Sequence, residues 1–203
     1  LNEVRKTWFK KSIQTIIYMP HFFSWVIIGG IIVSIFSQET GIINQFMKAV
    51  YGQPYPFMFK PQSWIAIFIG SGIWKEAGFG TIIYLAALTS IDPCLYEAAV
   101  IDGANKWKQI WHITLPGIKP TIVTLFILAT GSIMEVGFDH VYMLQNSVVN
   151  NIADVISTYI YRVGLQGARF SMTTAMGLFE SLVGLVLVLT SNWIARKFGE
   201  SLW

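Results

Sequence analysis

The sequence predicts an all-α polytopic membrane protein, and three observations carry that reading. Hydrophobic residues make up 54% of the 203 residues and charged residues only 12%, about half the share usual in a soluble domain. Mean hydropathy is +0.55, and aromatic residues reach 15%, with 8 Trp. A soluble domain of this size could not hide so much apolar surface. The apolar residues also fall in long runs, as spanning helices require.

Residues 1–12 are basic, with Arg5, Lys6, Lys10 and Lys11 against Glu3. The opening Leu1-Asn2-Glu3-Val4-Arg5-Lys6 reads as a helix end running into a cytoplasmic loop. The chain starts with Leu and shows no signal-peptide pattern, so upstream spans are expected to be missing. A first apolar run covers residues 13–36; Pro20 and the pair Gly29-Gly30 inside it are tolerated in a span when neighbours cover the backbone. Residues 38–62 read as a loop rich in Gly, Pro and aromatics.

The second apolar run covers residues 63–91. As one helix it would be about 43 Å long at about 1.5 Å per residue, against a hydrocarbon core of about 30 Å. A break or bend is therefore expected within Gly70–Gly78, with the first part near the interface. Lys75-Glu76 would form a local ion pair at that break. A third span is expected over residues 119–138 and a fourth over 171–195. Between them, Ile152, Val155, Ile156, Tyr159 and Ile160 make one amphipathic helical stripe.

Four spans return both termini to one side. The terminal segments and the middle segment hold Arg5, Lys6, Lys10, Lys11, Lys106, Lys108, Lys119, Arg196 and Lys197. The opposite loops hold Lys48, Lys60, Arg162 and Arg169. This asymmetry places the termini and the middle segment in the cytoplasm. The net charge of +3 is small, and no basic run is interleaved with aromatics, so nucleic acid is not an expected partner. Cys94 is the single cysteine, and the three histidines lack metal-ligand spacing.

Residues 92–118 carry the sharpest local signals. Asp92 suits an N-cap and Pro93 the first helical position. Glu97-Ala98-Ala99 favours helix, and Gly103 fits a left-handed turn at its end. Asn105 caps a second helix, on which Trp107, Ile110 and Trp111 share a face. Leu115-Pro116 is expected to end it, because the residue before proline is pushed out of the helical region. The product is a helix–turn–helix with an aromatic stripe available for docking. From physics alone, an amphipathic loop lying on the bilayer surface is an equal alternative.

Glu97-Ala98-Ala99, Gly103, Ile113 and Leu115-Pro116 together resemble the EAA loop of binding-protein-dependent ABC importer permeases. The resemblance runs along nearly the whole chain. Tyr18-Met19-Pro20-His21-Phe22, Ile73-Trp74-Lys75-Glu76, Tyr84-Leu85-Ala86-Ala87-Leu88, Ile113-Thr114-Leu115-Pro116-Gly117-Ile118 and Ala175-Met176-Gly177-Leu178-Phe179 look like the carbohydrate branch, similar to permeases for alginate or plant-polysaccharide fragments. Such permeases usually have six spans, and this chain resembles the last four.

The resemblance implies the transmembrane domain of a type I (MetI-like) importer, with residues 92–118 as its coupling loop, in a bacterial inner membrane. It implies a sugar or oligosaccharide substrate, a second and different permease chain, two cytoplasmic ATPase subunits, and a periplasmic or lipid-anchored solute-binding protein. Glu97 would ion-pair with the ATPase, Ala98 and Ala99 belong to the same motif, Gly103 would allow the tight turn, and Trp107, Ile110 and Trp111 would fill the ATPase groove. The alternative for these aromatics is packing on the chain's own helix ends. No GxxxxGK[ST] phosphate loop is present, so ATP and Mg would be bound by the partner subunits, and this chain would be a transport subunit rather than an enzyme.

Charged groups inside spans usually face a cavity. Thr173, Gly177, Glu180, Gly184 and Ser191 lie near one helical face; Thr121, Thr124, Ser132 and Glu135 do likewise in the third span. These are candidate linings of a sugar passage; small residues at such spacing equally serve helix packing, and the alternative for Glu135 is a place at the outer interface. Trp74, Phe79 and Tyr84 could stack on sugar rings or anchor at the interface. Tyr55 and Arg162 are candidate contacts for a binding protein. Within such permeases the solute could also be an amino acid, a peptide or an ion. A secondary transporter driven by an ion gradient would use Glu180 without needing the EAA loop, and a membrane enzyme would need a nucleophile–base pair or a metal cluster at membrane depth, which the sequence does not show.

Overall fold

The computed structural model describes residues 6–197 and Gly199; expectations placed on residues 1–5 lie outside them. The regular elements are helical: α1 (Thr7–Phe22), α2 (Trp25–Phe36), α3 (Ile42–Tyr51), α4 (Pro61–Thr89), α5 (Pro93–Ile101), α6 (Lys106–Gln109), α7 (Leu115–Gly131), α8 (Phe138–Leu144), α9 (Asn150–Ala153), α10 (Ile156–Ile160) and α11 (Phe170–Lys197). Wider π-helical turns cover Ile110–Thr114, between α6 and α7, and Tyr161–Gln166, after α10. Lys106–Gly131 and Phe170–Lys197 are each long and apolar enough to cross a membrane. Two bent pairs, Thr7–Phe36 and Pro61–Ile101, qualify as pairs, which gives up to 4 spans.

The bends do not fall where the sequence places them. The run over residues 13–36 is not one helix: α1 and α2 meet at 99°. Pro20 sits inside α1, and the break comes later, where Phe23 and Ser24 are extended and the Ser24 hydroxyl accepts the Ile27 N–H at 3.4 Å. The run over residues 63–91 shows the reverse correction. It is one helix through Gly70–Gly78, and the 70° bend comes between α4 and α5. Gly72 and Gly78 serve close approach rather than a break. A Cβ on Gly78 would collide with Ile17, and one on Gly72 would touch His140 at 3.4 Å.

Leu115-Pro116 does not stop its helix either. The Leu115 N–H bonds the carbonyl of Ile110, and this widened turn accommodates a proline that has no N–H to give. The third span then ends at Gly131, short of Phe138, with Ser132 as its C-cap. Residues 38–62, expected as a loop, contain α3, which closes on Gly52 at φ 80°. The stripe over residues 152–160 is divided into α9 and α10, separated by Asp154 and Val155.

Contacts define two compact units. One comprises Lys6–Gly78 and Glu135–Leu178. Its core gathers Ile28, Ile32, Trp64, Leu144 and Val149, flanked by Trp25 and Phe68. The Trp64 indole donates to the Leu144 carbonyl at 2.8 Å, which ties α4 to the end of α8. His140 is stacked between Trp25 and Phe68, with ring centroids 3.6 and 4.0 Å away. The Ser71 hydroxyl donates to Phe68 O, so at 2.9 Å it accepts from His140 Nε2.

The other unit, among the described residues, comprises Phe79–Met134 and residues 179–197. Here α7 and α11 approach at glycine. A Cβ on Gly184 would meet the Gly131 carbonyl at 2.7 Å, and one on Gly131 would meet Val188 at 2.6 Å. Ile127 is buried, and Thr130 donates to the Ser191 hydroxyl at 3.1 Å.

Candidate functional site

The segment from Asp92 to Thr114 is built by local chemistry. The Asp92 side chain accepts the Cys94 N–H at 2.9 Å, and Pro93 opens α5. The helix closes through Gly103 at φ 72°, with Ala104 N–H bonded to Ala99 O at 2.8 Å, the left-handed ending that glycine supplies at least cost. Asn105 then accepts the Lys108 N–H at 2.9 Å, and the Gln109 amide returns to Ala104 O at 3.0 Å. Tyr96 braces the pair of helices through a 2.9 Å bond to Thr114. The segment is thus preformed.

Its exposed surface carries large apolar side chains. Trp107 and Trp111 are 72% and 63% exposed, with Ile110 exposed beside them; they do not pack on the described helix ends. Glu97 and Ala98 are exposed and Ala99 is half-buried. Sequence reasoning missed Leu95, Val100 and Ile101, all exposed, Ile101 at 85%. The signal for Val100 and Ile101 was available: an apolar pair standing directly before Asp102-Gly103.

The passage candidates separate by environment. Glu180 is half-buried on α11 and has no hydrogen-bond or ion-pair partner among the described residues. Gly177 is half-buried with open space where a Cβ would stand. Thr173 is buried, donates to Phe170 O at 3.0 Å, and lies so close to Gly164 that a Cβ there would meet it at 2.9 Å. Ser132 is exposed at the end of α7, its hydroxyl 3.4 Å from Ala129 O. Glu135 is exposed and stands beyond the helix, not on the face expected for it, because α7 ends at Gly131.

Lys75 and Glu76 are paired at 3.5 Å, though on an unbroken helix. Lys75 is 6% exposed and donates to His21 O at 2.7 Å, one of the carbonyls a helix end leaves unmatched. Its ammonium also lies 5.4 Å from the Trp25 ring, and His21 Nδ1 meets Glu76 at 3.0 Å. One buried cation thus holds both sides of the α1–α2 bend. It also opposes the negative end of the α1 dipole.

Beyond α9, Arg162 grips Asp154 through both guanidinium nitrogens. The bond from Arg162 holds the Asp154 carboxyl below its ordinary range and raises Arg162 in turn. The Tyr55 ring is tilted by 59° against that of Phe57, with centroids 4.8 Å apart, and receives Lys60 over its face at 4.4 Å. No group of three or more His, Cys, Asp and Glu able to hold a metal occurs among the described residues.

Residues 2–201 match the family described as binding-protein-dependent transport system inner membrane component. The chain belongs to that family. It is 47% identical over 200 residues to the polygalacturonan/rhamnogalacturonan transport system permease protein YteP of Bacillus subtilis, covering 98% of this chain and 62% of that protein. It is 30% identical to the arabinooligosaccharides transport system permease protein AraP of the same organism, covering 94% and 61%. The chain therefore spans less than two thirds of the length of these relatives. Among solved structures, it superposes with a TM-score of 0.91 and 47% identity on a bacterial ABC transporter involved in the import of the acidic polysaccharide alginate, covering 97% of this chain and 68% of that one. A structure of such a transporter with an alginate pentasaccharide-bound periplasmic protein gives 0.92 and 46%. The fold is accordingly that of an ABC permease, a transport subunit of a membrane-spanning family.

Proposed function

We propose that this chain is part of the permease of an ATP-driven importer that carries an oligosaccharide across the bacterial inner membrane by alternating access. The observation that carries the proposal is the preformed turn at Gly103 with its exposed apolar surface, in a chain of this family. Glu97 and the Trp107, Ile110 and Trp111 stripe are the docking surface for a cytoplasmic ATPase; Leu95, Val100 and Ile101 extend it. An apolar surface centred on two Trp suits an interface hot spot. ATP and Mg bind in the ATPases, so the permease contributes motion and a path.

In this reading Asp92–Thr114 and both ends of the chain lie on the cytoplasmic side, which the excess of Lys and Arg in those segments supports. The opposite loops receive a solute-binding protein, and a second permease chain completes the passage. Glu180 and Gly177 face that passage, where a carboxylate with no partner can accept hydrogen bonds from sugar hydroxyls. The oligosaccharide assignment is supported by what the relatives are named for: transport of polygalacturonan/rhamnogalacturonan, of arabinooligosaccharides and of alginate. The test is uptake of labelled oligosaccharide by proteoliposomes holding the full complex and its binding protein. Uptake that requires internal ATP supports the reading; uptake driven by an ion gradient without ATP refutes it.

A further inference from the structure

A cleft of about 960 Å³ opens beside α3, lined in part by Phe36, Phe59, Gln38, Glu39, Gln45 and Lys48. Its frame is fixed by two asparagines. Asn44, 2% exposed, donates to Phe36 O and Ser37 O at 3.3 and 3.0 Å and accepts the Tyr55 N–H at 2.7 Å. Asn146 donates to Met58 O at 2.8 Å and accepts the Val148 N–H at 3.1 Å. These bonds join the end of α2, the start of α3 and the segments around Met58 and Val148. The cleft therefore exists before any ligand arrives, as binding pockets usually do.

The polar groups that do not build this frame are left over. Gln38, Glu39 and Lys48 have no hydrogen-bond or ion-pair partner among the described residues, and Gln45 commits only its Nε2, to Thr40 O at 3.1 Å. The cleft thus offers an ammonium, a carboxylate, free amide groups and two aromatic rings in one concavity. A lipid chain would leave the four polar groups unmatched. A sugar unit matches both halves: its hydroxyls donate and accept, and its C–H face lies on an aromatic ring. One charge of each sign suits a neutral unit or one bearing a single carboxylate.

We propose that this cleft binds one sugar unit of the arriving oligosaccharide before the chain enters the passage. The proposal rests on the sugar-import reading, which places residues 37–60 on the outer side.

The test uses the full-length permease in its assembled complex, in nanodiscs and without binding protein. The probes are diazirine-bearing trisaccharides of galacturonate, mannuronate and arabinose, each also tried for ATP-driven uptake in proteoliposomes. For a trisaccharide that is imported, the expected label falls on residues 33–59 and 143–146 and is displaced by unlabelled sugar. Labelling there should drop at least tenfold in Lys48→Ala combined with Gln38→Ala, both exposed positions, in complexes that still assemble. Label confined to α7 or α11, or no label while uptake proceeds, overturns the cleft and leaves import standing. Labelling unchanged in the double variant while binding-protein docking weakens makes the cleft a protein seat, and the proposal falls. Failure of ATP-driven uptake for every probe removes the import reading and this proposal together.

Discussion

Trp107 carries the most exposed aromatic surface of the Asp92–Thr114 segment, and nothing in the described fold needs it there. Trp107→Ala should leave the permease folded and membrane-assembled while weakening its hold on the ATPase. Hot-spot truncations cost about 2 kcal/mol or more, close to a thirtyfold loss of affinity; pull-down of the ATPase by the purified variant measures it, and unchanged recovery contradicts the role. Asp154 makes a different kind of prediction. Its carboxyl is held below the ordinary range by the bond from Arg162. Its contribution is therefore full above the unfolded carboxylate value of about 4 and is lost only as pH falls through the lower folded value. Partial exposure of both partners limits that contribution to about 1 kcal/mol at most. Proteolysis of the 150–166 segment should be the same at pH 7 and 5, and faster in Asp154→Asn at both.

At the scale of elements, Lys75 decides how α1 and α2 meet. It caps His21 O, lies near the Trp25 ring and pairs with Glu76. Lys75→Met keeps the apolar bulk but removes one donor from that carbonyl and a cation from a helix C-terminus, at a cost of about 1–2 kcal/mol. Hydrogen exchange over residues 20–27 should rise in this variant while α11 is unchanged; equal exchange in both would remove Lys75 from that role.

This cluster also explains what was legible in the sequence. The caps at Asp92 and Asn105 and the turn at Gly103 are settled by neighbours within a few residues, and composition alone marks the long runs. The break at Ser24, the unbroken α4 and the end of α7 depend on partners far along the chain. Gly78 meets Ile17, Lys75 meets His21 and Gly184 meets Gly131, contacts that no local periodicity announces. The π turn at Ile110–Thr114 shows a local rule for proline overruled by a helix that widens around it. In the candidate site, the motif residues were legible and Glu135 was misplaced, because a charge near the end of an apolar run does not say where the helix stops.

At the scale of the whole molecule, the fold and its solved relatives agree on a permease, and in the proposed function one rigid turn couples ATP hydrolysis to transport. Gly103 holds φ 72° and its N–H bonds Val100 O at 3.0 Å. Proline there would impose a φ near −65° and delete that donor. The decisive measurement is substrate-stimulated ATPase activity of the full complex in liposomes with its binding protein, for wild type and Gly103→Pro. Stimulation is expected in the wild type and its loss in the variant, with the complex still assembled. Equal stimulation in both would contradict the coupling role of this turn.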